Sequence, residues 1–179
     1  MPVRHLPWLA AAACIAAIAA IAALAAQVPR PAPDFAIRTD AGPPLQLTQY
    51  RGKVVVLAFI LTTCPHCQRA VGVLSKMQKE YGSQGLQVLG SATEAAAPSN
   101  LPAFMERFQP AFPVGFSNHE AAVAFLQHPE KTLMLMPQVV FIDRKGVIRA
   151  QYEGGDKFLV ENQEANIRGQ IEALLKGPR

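Results

Sequence analysis

From Leu9 to Ala26 every position is apolar, built from Ala, Ile and Leu around a single Cys14. As a helix this run is about 27 Å long, close to the ~30 Å of a bilayer's hydrocarbon core and longer than most signal-peptide cores. With Arg4 and His5 on its short leading side, the pattern predicts an export segment whose N-terminus stays in the cytoplasm. Residues 1–27 are read as a signal-anchor, one hydrophobic N-terminal helix holding the rest of the chain on the periplasmic side of the cytoplasmic membrane. Ala23-Leu24-Ala25 is a small-x-small site at which the segment would instead be cut as a signal peptide, releasing the domain to the periplasm. Residues 28–33, proline-rich from Val28 to Pro33, read as an extended tether.

Residues 34–179 follow a different pattern. Asp34-Phe35-Ala36-Ile37 and Leu45-Gln46-Leu47 alternate like the two strands of a hairpin, with Gly42-Pro43-Pro44 as turn chemistry between them. Val54 to Leu61 is too uniformly apolar for a sheet with one wet face and predicts a central strand covered on both sides. Val71, Leu74, Met77 and Tyr81 then keep helical spacing up to Gly82, and Leu86 to Gly90 is the next strand. Strand, helix and strand in this order predict a βαβ unit with parallel strands. Ser91 to Ser99 reads as a loop, and Asn100 as the cap of a short helix carrying Phe104 and Phe108. Ser117 and Glu120 have the spacing of a capping box for a helix with Val123, Phe125 and Leu126 to bury. Gln138 to Ile142 and Val147 to Tyr152 form a second hairpin across Asp143-Arg144-Lys145-Gly146, and Ile167, Ile171, Leu174 and Leu175 line a final helix.

Charge changes this picture little. The 17 basic and 13 acidic residues give +4, and discounting Arg4 and Arg30 leaves a surplus of two. No basic run interleaved with aromatics points to nucleic acid, and nucleic acid is not expected as a partner. The exported part, about 145 residues, suits one domain.

The chemistry lies in Cys64-Pro65-His66-Cys67, at the junction between the apolar strand and the helix. With Cys64 at the helix N-cap and Pro65 in the first turn, free backbone N–H groups and the positive end of the helix dipole face the Cys64 sulfur and favour a thiolate. The same turn brings Cys67 within disulfide reach, so the pair can close after Cys64 attacks a partner's disulfide. His66 adds a donor or positive charge beside the thiolate, and Thr62 and Thr63 can donate hydrogen bonds to it. Two further ligands with close spacing, as a zinc site needs, are not offered by Cys14, His5, His119 and His128, and neither a metal nor any other cofactor is expected. Cys14 sits inside the apolar run, which leaves the exported domain one cysteine pair and suits a catalytic disulfide. Met136-Pro137 stands directly before a buried strand, a position that invites a cis bond.

Taken together, the Phe35 hairpin, the Gly52 to Phe59 strand, Cys64-Pro65-His66-Cys67, Met136-Pro137 and the Ile142-Asp143-Arg144-Lys145-Gly146 turn resemble the TlpA/ResA-like redoxins, membrane-anchored thiol-disulfide oxidoreductases. The resemblance covers roughly Pro33 to Leu175 and implies an α/β, thioredoxin-like fold. In that fold a central mixed sheet is flanked by helices, with an N-terminal hairpin and a central insertion. It implies that Cys64 is the nucleophile, Cys67 the resolving thiol and Pro137 a cis-proline facing the disulfide. Met136 and Thr63 would contact the substrate, the backbone of Met136 pairing with an extended cysteine-bearing peptide. The partners implied are protein thiols and disulfides and a protein that recycles the pair.

The chain departs from that group at three points. Thr63 replaces the usual aromatic residue before the first cysteine. Ala70 stands where reducing members carry an acid, which leaves no obvious buried carboxylate to regulate proton transfer to Cys67. The Pro-His dipeptide resembles that of DsbA-type oxidants, so the direction of electron flow stays open. Two other functions are weighed. A Sco-like copper-delivery module would use the thiolates with Met134, Met136 and His119 or His128, but such proteins usually have three residues between the cysteines. A peroxiredoxin-type peroxidase needs a threonine three residues before its cysteine, and Leu61 occupies that place.

Overall fold

The computed structural model describes residues 27–40, 42–129 and 131–177. The expected anchor or signal peptide, with Cys14, therefore lies outside the described residues but for Gln27. Among the described residues no helix is long and apolar enough to cross a membrane.

The organising strand is β4 (Val54–Ile60), whose seven residues are all buried. Side chains alternate across a strand, and here both sides are dry. Val54, Val56, Ala58 and Ile60 enter one core, whereas Val55, Leu57 and Phe59 enter the other. The first core is closed by helices α1 (Pro65–Tyr81), α2 (Ala97–Phe108) and α5 (Gln163–Lys176), through Val71, Leu74 and Met77, Leu101 and Phe104, and Ile167 and Ile171 respectively. The second is closed by α3 (His119–Leu126) and by the N-terminal hairpin, β2 (Ala36–Ile37) with β3 (Leu45–Gln46). Phe35, just before the hairpin, sets its ring edge-on to Phe59 and to Phe125, each 5.2 Å away. Such edge-to-face contacts fix where the hairpin sits.

Around β4 the sheet is mixed. In spatial order it runs β1 (Arg30–Pro31), β8 (Val147–Tyr152), β7 (Gln138–Ile142), β4, β5 (Leu86–Ala92) and β6 (Val114–Phe116). The β4–β5 and β5–β6 pairs are parallel and the others antiparallel. The one-turn helix α4 (Lys157–Val160), which the sequence pattern had not suggested, lies between β8 and α5.

Three local expectations differ from the structure. Arg30–Pro31, inside the stretch read as a tether, pairs with Val147–Ile148 as an edge strand. Arg30 is buried there, donating to the Phe125 carbonyl at 2.9 Å and to Gln151 Oε1 at 3.0 Å. Proline is compatible with such an edge because no N–H is needed on the outer side. Asn100 does not cap its helix, which begins three residues earlier at Ala97 and places Pro98 in its first turn, where a missing N–H is harmless. The cap of α3 is Asn118, whose side chain accepts from the Ala121 N–H at 3.1 Å. Ser117 turns inward instead, its hydroxyl 2.9 Å from that of Ser91.

The hairpin is tied to the sheet edge by the Arg38–Phe116 bridge, with N–H to carbonyl distances of 2.9 Å both ways. Gly115 makes that approach possible, since a Cβ there would lie 2.1 Å from the Arg38 carbonyl oxygen. Gly72, on the exposed face of α1, has nothing within 4 Å of the same position. Gly115→Ala is expected to destabilise the fold by about 1–3 kcal/mol through this backbone collision, whereas Gly72→Ala stabilises it by about 0.5–1 kcal/mol through helix propensity. Urea unfolding of the two variants, read as midpoints at equal slope, checks the opposite signs.

Candidate active site

The chain leaves the carboxyl end of β4 through Leu61, Thr62 and Thr63 and enters α1 at once. Cys64 is the N-cap residue and Pro65 the first helical residue. The turn is closed by Cys64 N–H donating to the Leu61 carbonyl at 3.1 Å and by Gln68 N–H donating to the Cys64 carbonyl at 3.0 Å. The two cysteines, both free thiols, then meet different surroundings. Cys64 is half-buried, at the end of the helix where backbone N–H groups lack intrahelical partners and favour an anion. Cys67, three residues on, points inward and is fully buried. Its sulfur accepts from the Leu61 N–H at 3.5 Å. Burial pushes the Cys67 thiol far up from its ordinary range; the Leu61 N–H opposes this, while Cys64 and Glu94 add to it.

Pro137 is buried directly before β7, the strand antiparallel to β4, and the Met136–Pro137 peptide is cis. The Met136 carbonyl oxygen lies 4.0 Å from Cys64 Sγ. Two contacts hold the approach: Gln138 Nε2 donates to the Leu135 carbonyl at 2.9 Å, and Gly154 N–H donates to the same oxygen at 3.1 Å. Gly154 packs so closely that a Cβ on it would lie 2.2 Å from the Met136 carbonyl oxygen. The Met136 side chain is half-buried and packs against both cores.

The remaining sequence-derived residues are less uniform. Pro65 and His66 are exposed beside Cys64. His66 Nδ1 lies 2.8 Å from Arg69 Nη2, one helical turn along. A guanidinium can only donate, so His66 Nδ1 is the acceptor in this contact. Arg69 places a further positive charge beside His66. Thr63 is exposed, and with Thr62 it lines a groove shared with Gln68, Asn100, Phe104 and Arg107. The Thr62 hydroxyl and N–H are both given to Glu94 Oε1, the N–H at 2.9 Å, and are not aimed at a thiolate. Ala70 is buried in the core, as its position in the helix requires. Glu94 is the residue that the sequence reading missed. Its signal was an acid just past the end of the strand neighbouring β4, where open α/β sheets gather their chemistry. His119, His128 and Met134 line a separate cavity on α3, with His128 Nε2 4.0 Å from Glu153 Oε2. Among the described residues no three His, Cys, Asp or Glu side chains gather as a metal site.

The raised Cys67 thiol has a consequence for stability. Above about pH 8.5 a cysteine in the unfolded chain loses its proton while the buried Cys67 keeps its own. The unfolded state then binds fewer protons than the native state, so stability falls as pH rises. The reduced protein should lose Tm more steeply between about pH 8.5 and about pH 10 than the Cys67→Ala variant does. Parallel slopes would contradict the burial.

Comparison with known proteins agrees with this geometry. The AhpC/TSA family matches residues 28–151. The chain is 28% identical over 124 residues to the thioredoxin-like protein YneN of Bacillus subtilis, covering 69% of each. It is 31% identical over 120 residues to the thiol-disulfide oxidoreductase ResA of Geobacillus thermodenitrificans, covering 66% of this chain and 64% of that one. The chain thus spans about two thirds of the length of these curated relatives. A crystal structure of a thiol:disulfide interchange protein of the thioredoxin family from Chlorobium tepidum superposes with a TM-score of 0.68 at 24% identity, over 84% of this chain and 99% of that one. The fold is thioredoxin-like, with the mixed sheet and flanking helices that the resemblance to ResA-like redoxins implied. From the span of the family match, and from the strand, helix and hairpin that it covers, the chain belongs to the AhpC/TSA family.

Proposed function

We propose that the chain is a thiol-disulfide oxidoreductase of the ResA type that exchanges disulfides with protein substrates through Cys64 and Cys67. The observation that carries the reading is the asymmetry of the pair: a half-buried sulfur at a helix N-terminus and, one turn inward, a fully buried one. Disulfide exchange requires a sulfur that a partner can reach and a second sulfur that closes only on the first. Cys64 as thiolate attacks the substrate disulfide, one substrate sulfur leaves, and a mixed disulfide forms. Cys67 then attacks Cys64, the second substrate sulfur leaves, and the Cys64–Cys67 bond closes. The reverse sequence donates a disulfide.

Substrate is held by backbone. The Met136 carbonyl, 4.0 Å from Cys64 Sγ, lies beside the reacting sulfur, where an extended peptide can pair with it. Pro137, which has no N–H, leaves the sulfurs without a competing donor at that point. Thr63, exposed and next to Cys64 in the chain, lines a groove with Gln68, Asn100 and Arg107 that a substrate segment can enter. Pro65 and His66 form the exposed rim, and the Arg69 guanidinium beside His66 supplies positive charge near a substrate thiolate. No prosthetic group enters this sequence of steps. A second protein must return the pair to its starting state.

The extracytoplasmic location rests on the apolar run from Leu9 to Ala26 behind Arg4. Outside the cytoplasm disulfides form and persist, and a chain with one cysteine pair in its folded domain fits that setting. Alkaline phosphatase fused after Pro33 is expected to be active in a bacterial host, and an inactive fusion would argue against export.

Cys64→Ser is expected to abolish exchange with a disulfide-bonded protein such as insulin, a loss of at least ~100-fold in rate. Cys67→Ser is expected to keep the first attack and to accumulate a mixed disulfide, seen as a shifted band on non-reducing gels. Full activity in the first variant, or no adduct in the second, would overturn the assignment of roles.

A further inference from the structure

Ala70 stands, buried, where the resemblance to reducing redoxins would place an acid on the helix of Cys67, yet a carboxylate from another element, Glu94, acts electrostatically on Cys67. Because β4 and β5 are parallel and in register at Ile60 and Ala92, the residues that follow them leave the sheet side by side. Thr93 is pinned to β4, its N–H donating to the Ile60 carbonyl at 3.1 Å. Glu94 therefore comes level with Thr62. Glu94 Oε1 accepts from both the Thr62 N–H and the Thr62 hydroxyl. The preceding backbone N–H, that of Leu61, points at Cys67 Sγ. Two consecutive amides thus hold the buried sulfur and the carboxylate on one short segment.

Glu94 Oε2 is left over. It is buried and has no hydrogen-bond partner among the described residues. A buried carboxylate oxygen without a donor is unfavourable, and native sites that keep one have a use for it. The Cys67 thiol is the group in need of a base. Burial holds it protonated, and in that form it cannot attack. The titratable groups that act on Cys67 are Cys64, one turn back on α1, and Glu94. The Thr62 contacts by themselves would make Glu94 a loop clamp, but they use Oε1 alone.

We propose that Glu94 is the proton acceptor for Cys67, an assignment that rests on the disulfide exchange set out above. In the mixed disulfide, Cys67 Sγ–H gives its proton to Glu94 Oε2, directly or across one water. The Cys67 thiolate attacks Cys64 Sγ. The Cys64–Cys67 bond forms as the bond from Cys64 to the substrate sulfur breaks, and the electron pair of that bond leaves on the substrate sulfur, which takes a proton from solvent. The dithiol is oxidised by two electrons and the substrate disulfide is reduced by two.

The test is a single turnover of the full-length protein with Ellman's reagent, an aromatic disulfide, in a Cys14→Ala background so that only the site cysteines react. The first thionitrobenzoate released reports attack by Cys64 and the second reports closure by Cys67. Glu94→Gln keeps an acceptor for Thr62 and removes the base. The first phase should be equal in both proteins. The second should be slower by at least about tenfold in Glu94→Gln at neutral pH, within the range that general bases contribute. Its pH profile separates a base from a clamp. With an internal acceptor, closure in the wild type is nearly flat between about pH 6 and about pH 8; without one it rises about tenfold per pH unit, following the thiolate fraction. Equal second phases in the two proteins would overturn the role of Glu94 while leaving exchange intact. A steep rise in the wild type itself would do the same, whether or not the variant folds. Absence of any first phase would remove the exchange reading and this one with it.

Discussion

Burial of β4 on both faces is the constraint from which the site follows. A strand that must hide seven consecutive side chains needs helices above and below and a paired strand on each side. Its only outlet is its carboxyl end, and the chain turns there straight into α1. The two cysteines are therefore placed by the same packing that stabilises the fold. One lies at the rim of the core and the other inside it. The neighbouring strands meet the same limit. β5 delivers Glu94 to that end, and β7, running the other way, begins there with Met136 and Pro137 just ahead of it.

The inner and outer sulfurs lie one helical turn apart and differ in environment. At the helix N-terminus the half-buried Cys64 sulfur makes no cap hydrogen bond and lies 4.0 Å from the Met136 carbonyl oxygen; one turn along, the Cys67 sulfur meets apolar side chains and one N–H. The first setting leaves a sulfur that a partner can reach, and the second a thiol that burial holds neutral. Gly154 has a comparable part on the opposite wall. Lacking a side chain, it lets β8's end close against Met136 and keep that carbonyl beside the outer sulfur.

Much of this was legible in the residues. The continuous apolar run of β4, the helical spacing of Val71, Leu74, Met77 and Tyr81, and Cys-Pro at a strand-to-helix junction each carry a period or a boundary that survives in one dimension. The cap of α3 and the start of α2 were misread because several polar residues compete for one cap, and which of them faces outward is decided by tertiary contacts such as Ser117 with Ser91. Arg69 was not singled out beside His66, since a pairing between them is a matter of rotamers that spacing permits but does not require. Glu94 was missed for a similar reason. It lies 27 residues after Cys67 in sequence, and only the parallel register of β4 and β5 brings it back to Thr62.

The edge strand β1 has a bearing on reach. Arg30 is locked to the sheet and to the end of α3, so only residues 27–29 separate the folded body from the apolar run that precedes it. Three extended residues span about 10 Å. If the apolar run lies in a bilayer, so short a link leaves the folded body little freedom to move away from the surface.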